Sequence, residues 1–183
     1  KRDPEANLFL YREKGFIKEG LLNYLALLGW SIAADRDVFG IDDMVSAFDV
    51  STVNPNPARF DLKKAEAINA EHVRRLTPED FLARTIPYLE DQGVVAHPPT
   101  DTELEVLREI LPHVQPRVGL LGEVPGMVGF LFLDDAAVVI DDDARSQLRD
   151  QAGEVLERSI STLEELSEWS AEALEQALRA VLV

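Results

Sequence analysis

The amino-acid sequence predicts a mainly α-helical protein. Prolines and glycines divide the chain into segments of helical length, and most segments repeat apolar residues every three or four positions. That spacing places apolar side chains on one face of a helix, where they can be buried against a neighbour. Helix-start signals follow two of the breaks: Thr77 precedes Pro78 and Asp80, and Thr100 follows His97-Pro98-Pro99.

The first helix is predicted between Gly15 and Gly29. Its leucines are too dense for a one-faced stripe, so the helix should pack against something large. Gly29 stands where a C-cap glycine belongs. The polar loop 31–40 follows, and the apolar residues from Ile41 onward predict a short helix with an extended exit. The sequence Asn54-Pro55-Asn56-Pro57 is predicted to be a turn, because a residue before proline avoids the helical conformation.

Three further helices are predicted in the middle of the chain. Asp61 is the expected N-cap of a helix over about residues 62–75. The helices that start at Thr77 and Thr100 each meet a proline after several turns. We expect Pro87 to kink or shorten its helix, and Pro112 and Pro116 to bracket a short segment, residues 113–115.

Glycine-rich, apolar sequence fills residues 117–133. We predict a short helix, a turn at Pro125-Gly126 and a second buried segment, with a β-hairpin as the alternative, because glycine weakens both helix and strand. A long helix is predicted over residues 141–163, with Asp141-Asp142-Asp143 at its N-terminus. A last amphipathic helix begins at Trp169-Ser170 and continues to the end of the chain without a cap.

Composition limits the classes of function. The 183 residues carry a net charge of −16 and include no cysteine, which excludes disulfides and thiolate metal sites. No apolar run is long enough to span a membrane. Residues 1–92 hold 12 Lys and Arg against 16 Asp and Glu, whereas residues 93–183 hold 6 against 18. Any basic surface for nucleic acid is therefore local and mostly in the first half.

A motif near the start resembles a known family. Lys1-Arg2 is followed, over residues 15–30, by the sequence G-F-I-K-E-G-L-L-N-Y-L-A-L-L-G-W. This block resembles glutamyl-tRNA synthetase, a class I aminoacyl-tRNA synthetase, just after its signature loop K-[ILM]-S-K-[RS]. The resemblance implies that Lys1 and Arg2 are the last two residues of that loop, so that the chain begins inside the motif.

A second motif supports this resemblance. Residues 60–74 read F-D-L-K-K-A-E-A-I-N-A-E-H-V-R, which is similar to the family pattern F-D-x-x-K-L-x-W-[LM]-N-x-x-[YH]-[IL]-R. Ala65 and Ala67 replace the leucine and tryptophan of that pattern. Pro116-Arg117, after a proline-broken helix, is a further point of similarity. The pattern is kept at Phe60, Asp61, Lys64, Asn69 and Arg74.

The resemblance implies an order of domains. Residues 1–76 resemble the stem-contact region, residues 77–132 a helical anticodon-binding subdomain, and residues 133–183 the start of the last anticodon-binding helical subdomain. The expected fold is therefore the helical C-terminal part of a glutamyl-tRNA synthetase, truncated at its C-terminus. The catalytic Rossmann domain of the family is missing, so the fragment alone is expected to be inactive.

The resemblance also assigns roles to single residues. Lys1 and Arg2 would bind ATP, and Lys1 would occupy the position of the loop's catalytic lysine, although it is expected to be inert in the fragment. Arg117 would read the third anticodon base, a cytosine that separates glutamate tRNA from glutamine tRNA. Arginine offers fixed paired donors that suit a base edge. The alternatives are that Arg117 caps a helix C-terminus or pairs with Glu123.

Four basic residues on the helix over 62–75 are candidates for contacts with tRNA phosphates. Such contacts add affinity that weakens with salt and carries no sequence information. The alternative is a solvated helix face with ordinary ion pairs, such as Glu71 with Arg75. The four residues are Lys63, Lys64, Arg74 and Arg75.

Other residues with useful chemistry are assigned structural roles. No metal site is expected, because the chain lacks cysteine and its histidines have no close spacing to other ligands. Two tryptophans and one tyrosine are assigned to the core rather than to base stacking. The histidines are His72, His97 and His113, and the aromatic residues are Tyr24, Trp30 and Trp169.

The sequence therefore predicts the tRNA-binding, anticodon-binding portion of a glutamate–tRNA ligase. The parent enzyme would use ATP and Mg²⁺ to ligate glutamate to glutamate tRNA, whereas the fragment itself would hold no cofactor. A cytoplasmic monomer without membrane contact is expected. The competing hypothesis, motivated by the acidic second half, is a free-standing acidic helical module that binds a protein partner.

Overall fold

The structure is a computed structural model that describes residues 7–56, 59–148 and 152–181. Contacts divide the chain into two compact units, Lys1–Asp134 and Asp135–Val183. Within the described residues the regular secondary structure is helical, with one isolated β-bridge between Ala33 and Arg36. The predicted mainly α-helical class is therefore confirmed.

Seven α-helices lie in the first unit and three in the second, counted over the described residues. Those of the first unit are α1 Leu8–Lys14, α2 Lys18–Leu27, α3 Ile41–Ala47, α4 Leu62–Arg74, α5 Pro78–Asp91, α6 Asp101–Val114 and α7 Val124–Val128. Those of the second unit are α8 Asp142–Gln147, α9 Ala152–Glu164 and α10 Ala171–Val181. No helix in the described part of the chain is long and apolar enough to cross a membrane.

The N-caps predicted from local sequence are confirmed. The side chains of Asp61, Thr77 and Thr100 accept hydrogen bonds from the backbone N–H three residues later, at the starts of α4, α5 and α6. Glu103 also bonds back to Thr100, which completes a capping box. Asp141 likewise caps α8. These caps satisfy N–H groups that the first turn of a helix leaves unpaired.

The first predicted helix begins later than expected. Gly15 ends α1 in the left-handed conformation, with a φ of 100°, and α2 starts only at Lys18. A Cβ on Gly15 would stand 2.2 Å from the backbone nitrogen of Gly122, so two chain segments cross here at a distance that only glycine permits. Gly29 follows the end of α2, but its φ is not positive. The glycine C-cap was therefore assigned to the wrong end of this block.

Helix α2 packs most closely on α4, and this pair forms the centre of one apolar cluster. Its buried members come from α1, α2, α4 and the turn before α2; they are Tyr11, Phe16, Tyr24, Ala65 and Ile68. Gly20 lies at the crossing, and a Cβ there would meet Asn69 Oδ1 at 2.4 Å. The small residue therefore allows the two helix axes to come close.

A second cluster joins the end of α4 to α5, α6 and α7. Its fully buried members include Val73, Phe81, Leu89, Leu107 and Val124. Arg84 of α5 reaches α2, where it donates two hydrogen bonds to the Glu19 carboxylate at 2.9 and 3.0 Å. The two clusters therefore belong to one folded body that holds α4 along its length.

The internal prolines do not end their helices. Helix α5 continues through Pro87 and α6 through Pro112. Both prolines are exposed, as are Ala83 and Arg108, the residues four positions earlier. Because the carbonyls that lose a helical partner lie on a solvated face, the cost of each proline is reduced.

The glycine-rich stretch is helical rather than a turn or hairpin. Pro125 and Gly126 lie within α7, where proline suits the first turn. The following 3₁₀ helix, Gly129–Phe132, has no fully buried residue, and Phe130 is 63% exposed. The predicted turn is therefore wrong, and the predicted second buried segment is only partly buried: Val128 is fully buried and Phe132 packs against the core, whereas Phe130 is exposed. Apolar composition alone did not reveal that the unit provides no cover for Phe130.

The second unit contains α8, α9 and α10. The long helix predicted over 141–163 is interrupted, because Leu148 follows α8 in an extended conformation with a ψ of 104°. Helix α8 buries no residue, so no tertiary packing supports its extension. Helices α9 and α10 pack on each other. Trp169, predicted to be in the core, is 69% exposed.

Candidate nucleic-acid interface

Arg117 lies in the 3₁₀ helix Gln115–Arg117, directly after α6. Its side chain is exposed, and the described part of the chain gives it no hydrogen bond or ion pair. The alternative pairing with Glu123 is not formed. That carboxylate accepts hydrogen bonds from the backbone N–H groups of Gly119 at 2.8 Å and Leu120 at 3.1 Å. The Arg117 guanidinium is therefore available to a ligand.

The backbone on both sides of Arg117 is anchored. Gln115 is buried, and its Nε2 donates to the carbonyl oxygens of Val73 and Leu76, each at 2.9 Å. Val118 is 1% exposed and belongs to the apolar cluster around α6. An exposed arginine thus stands between two buried residues, next to the C-terminal end of α4.

Arg74 and Arg75 lie at this same end of α4. Both are exposed. Arg74 donates a hydrogen bond of 2.6 Å to Glu71 Oε1, three residues earlier, and this contact lowers the pKa of the Glu71 carboxyl. The alternative, an ion pair of Glu71 with Arg75, is not formed; Glu71 pairs with Arg74 instead. The structure therefore brings three of the predicted tRNA-binding residues, Arg74, Arg75 and Arg117, to one region.

Lys63 and Lys64 lie at the opposite end of α4. At 1.5 Å per residue, the ten residues from Lys64 to Arg74 span about 15 Å. Lys64 Nζ forms an ion pair with Asp37 at 2.9 Å, and Lys63 is exposed. The five predicted residues therefore form two groups along one helix rather than one patch. Lys1 and Arg2, the predicted ATP-binding residues, lie outside the described residues.

His72 takes part in a buried polar network that the sequence analysis did not identify. Its Nε2 lies 2.8 Å from Asn23 Oδ1, which also accepts from the Phe39 N–H at 3.0 Å. Asn23 Nδ2 donates to the Asp37 carbonyl at 2.9 Å. Because an amide oxygen only accepts, His72 Nε2 carries a proton here. The network ties α2, α4 and the loop 31–40 together.

We expect His72 to make the protein less stable in mild acid. Burial, assisted by the nearby Arg75, lowers the pKa of His72 below its usual value of about 6.5. The unfolded chain then binds the proton more readily, so stability is lost as the pH falls from about 6.5 toward the folded-state value. His72→Gln should flatten the fall in melting temperature between pH 7 and pH 5. His113→Gln, at an exposed position, is the control, and equal slopes in all three proteins would contradict this role.

The three aromatic residues assigned to the core divide into two groups. Tyr24 and Trp30 are buried, at 2% and 8% exposure, which confirms their structural role. Trp30 packs edge-on against Phe39 and donates its indole N–H to Thr52 Oγ1 at 3.1 Å. Trp169 is the exception. The described residues contain no cluster of three or more acidic or histidine side chains that could hold a metal ion.

A protein-family model for an anticodon binding domain matches residues 80–182. Glutamate–tRNA ligases from Leifsonia xyli and Kineococcus radiotolerans are 60% and 56% identical over the whole chain, which covers 38% and 36% of them. The chain therefore spans between a third and two fifths of the length of these relatives.

Solved structures show the same fold. A crystal structure of a glutamate tRNA ligase from Elizabethkingia meningosepticum, in complex with its amino acid, aligns with 93% of this chain at a TM-score of 0.76 and 21% identity. The alignment covers 32% of that protein. Since the family model covers more than half of this chain, the chain belongs to the anticodon binding domain family.

Proposed function

We propose that this chain is the tRNA-contacting part of a glutamate–tRNA ligase. The observation that carries the proposal is the exposed, unpaired guanidinium of Arg117, held on an anchored backbone beside Arg74 and Arg75. In this proposal Arg117 reads the third anticodon base, because a guanidinium offers two parallel donors to a base edge. Arg74 and Arg75 contact phosphates and set the register.

The proposal extends to the rest of the chain. Residues 1–76 form the stem-contact region, residues 77–132 one anticodon-binding subdomain, and residues 133–183 the start of the last one. Lys63 and Lys64 meet tRNA phosphates farther along α4, at a separate point on the ligand. A separation of about 15 Å along the helix is compatible with a ligand as long as tRNA.

The proposed parent enzyme activates glutamate with ATP and Mg²⁺ and transfers it to the 3′ end of glutamate tRNA. In that enzyme Lys1 and Arg2 bind ATP, while the residues after them position the tRNA. We place the enzyme in the cytoplasm, as a monomer. This chain contributes tRNA binding and orientation, and apart from Lys1 and Arg2 the residues for the chemical step lie elsewhere in the parent enzyme.

The second candidate function is an acidic module that binds a protein partner. Residues 135–183 contain twelve Asp and Glu against four Lys and Arg. Several apolar side chains of this unit are exposed, among them Leu156, Ile160 and Trp169. An acidic, partly apolar surface suits a basic protein better than it suits a polyanion.

The experiment that tests the proposal is a salt series. Binding of the chain is measured to glutamate tRNA and to the same tRNA with guanine as third anticodon base. We expect weak binding, in the range ~10⁻⁴–10⁻⁶ M, with a preference for the natural anticodon. A preference supports the proposal, and binding without preference overturns base reading by this chain. An absence of binding at low salt overturns the tRNA-contacting role and favours the protein-partner alternative.

A further inference from the structure

We propose that Gln115 is a positioning residue that fixes the backbone of Arg117 for base reading. Asn69 fixes the backbone on the C-terminal side of Arg117, and the two amides together form what we call the clamp. This inference rests on the proposed function. It concerns two buried amide side chains, neither of which meets the ligand. Both connect the segment that carries Arg117 to helix α4, which ends at Arg74 and is followed directly by Arg75.

The Gln115 amide bonds the backbone where α4 ends. Val73 lies in the last turn of α4, and its carbonyl also accepts from the Leu76 N–H at 3.2 Å, whereas Leu76 lies two residues past the helix. One NH₂ group of Gln115 bonds two carbonyls at this end, those of Val73 and Leu76, at 2.9 Å each. Because Gln115 is 8% exposed, water is a poor substitute for these bonds. The position of residue 115 is therefore set by α4 and not only by its own helix.

Asn69 holds the other side of the segment. It is fully buried in α4, and its Nδ2 donates to the Gly119 carbonyl at 2.7 Å. Its Oδ1 accepts from the Ile17 N–H at 2.9 Å, so the amide has partners on both sides. The Gly119 N–H is bonded in turn by Glu123. The chain is thus tethered two residues before Arg117 and two residues after it.

These tethers leave the Arg117 side chain as the mobile part of an otherwise fixed segment. A ligand that binds Arg117 then orders one side chain and not a loop, which lowers the entropic cost of recognition. The tethers also fix the distance between Arg117 and the arginines of α4, because both amides bond to or belong to that helix. Arg117 can therefore contact a base while the arginines at the end of α4 contact phosphates of the same bound tRNA.

The test uses the full-length enzyme that contains this chain. Gln115→Met keeps the length and volume of the side chain and removes both donors. The readout is the ratio of kcat/KM for glutamate tRNA to kcat/KM for the tRNA with guanine as third anticodon base. We expect this ratio to fall about tenfold, since small displacements of positioned groups have effects of this order. Gln115→Asn, one methylene shorter, is the second variant if Gln115→Met does not fold.

Two comparisons separate positioning from a loss of stability. Trp30→Phe removes a partly buried hydrogen bond with Thr52, far along the chain from Gln115, and should destabilise the unit without lowering the ratio. In an Arg117→Ala background, Gln115→Met should lower the ratio no further, because the positioned group is gone. A further fall in that background, or a fall with Trp30→Phe, overturns the inference.

The outcome also distinguishes this inference from the function on which it rests. If Arg117→Ala lowers the ratio and Gln115→Met does not, base reading stands and the positioning role is overturned. If neither variant changes the ratio, base reading by Arg117 fails and the inference fails with it.

Discussion

Replacing Gly20 with alanine is expected to destabilise the first unit by about 3 kcal/mol or more. The new Cβ would lie 2.4 Å from Asn69 Oδ1 and 2.7 Å from Asn69 Cα. The second contact is with backbone, which cannot rotate away, so α2 and α4 must separate. Separation would also break the buried bonds of Asn69 to Ile17 and Gly119, each of which is costly to leave unpaired. Thermal unfolding should show a fall of roughly 10 °C.

Gly126→Ala is the matched control for this prediction. Gly126 is also helical, within α7 of the same unit, and a Cβ there would meet nothing within 4 Å. Alanine should be neutral or stabilise by ~0.5–1 kcal/mol, because it favours the helix and restricts the unfolded chain. Equal melting temperatures for the two variants would refute the close approach of α2 and α4.

Features that depend on neighbours in sequence could be predicted from the sequence. A capping residue bonds an N–H three positions away, so Asp61, Thr77 and Thr100 identified their helices correctly. The break expected at Pro112 is wrong, because the cost of a proline in a helix depends on whether the freed carbonyl faces water, which is a tertiary property. The same limit explains why Phe130 was wrongly predicted to be buried. The apolar composition of its segment does not show whether other residues of the unit pack over it.

The candidate site shows the same division. The basic residues of α4 and Arg117 could be selected from motifs, but their separation into two groups required the structure. The amides that hold the site, Gln115 and Asn69, have partners 39 to 52 residues away. No local pattern marks such a residue, although Asn69 kept the family motif. The network of His72 and Asn23 escaped for the same reason.

The charge of the protein fits a site of this limited size. With a net charge of −16, general attraction cannot hold a polyanion, so affinity must come from a few exposed cations. In the proposed function, three arginines in one region and two lysines about 15 Å away along α4 orient the tRNA. Discrimination between tRNAs would then depend on Arg117, the group proposed to read a base edge.

We expect Arg117→Ala, in the full-length enzyme, to lower the preference for the natural anticodon by roughly 5- to 150-fold. This range corresponds to the ~1–3 kcal/mol that one bidentate arginine–base contact contributes to discrimination. The loss should appear as a lower kcat/KM for glutamate tRNA. The kcat/KM for the tRNA with guanine as third anticodon base should change little. Arg117→Lys should also lose the preference, because it keeps the charge but not the paired donors.

Arg108→Ala provides the control, since Arg108 is another exposed arginine of the same unit, on α6 and outside the clamped segment. That variant should leave the anticodon preference unchanged. Arg74→Ala should weaken the binding of both tRNAs by the same factor. It should also reduce the slope of log affinity against log salt concentration by about one. If Arg117→Ala also weakened the binding of both tRNAs by the same factor, Arg117 would be a phosphate contact. Another residue would then have to read the third base.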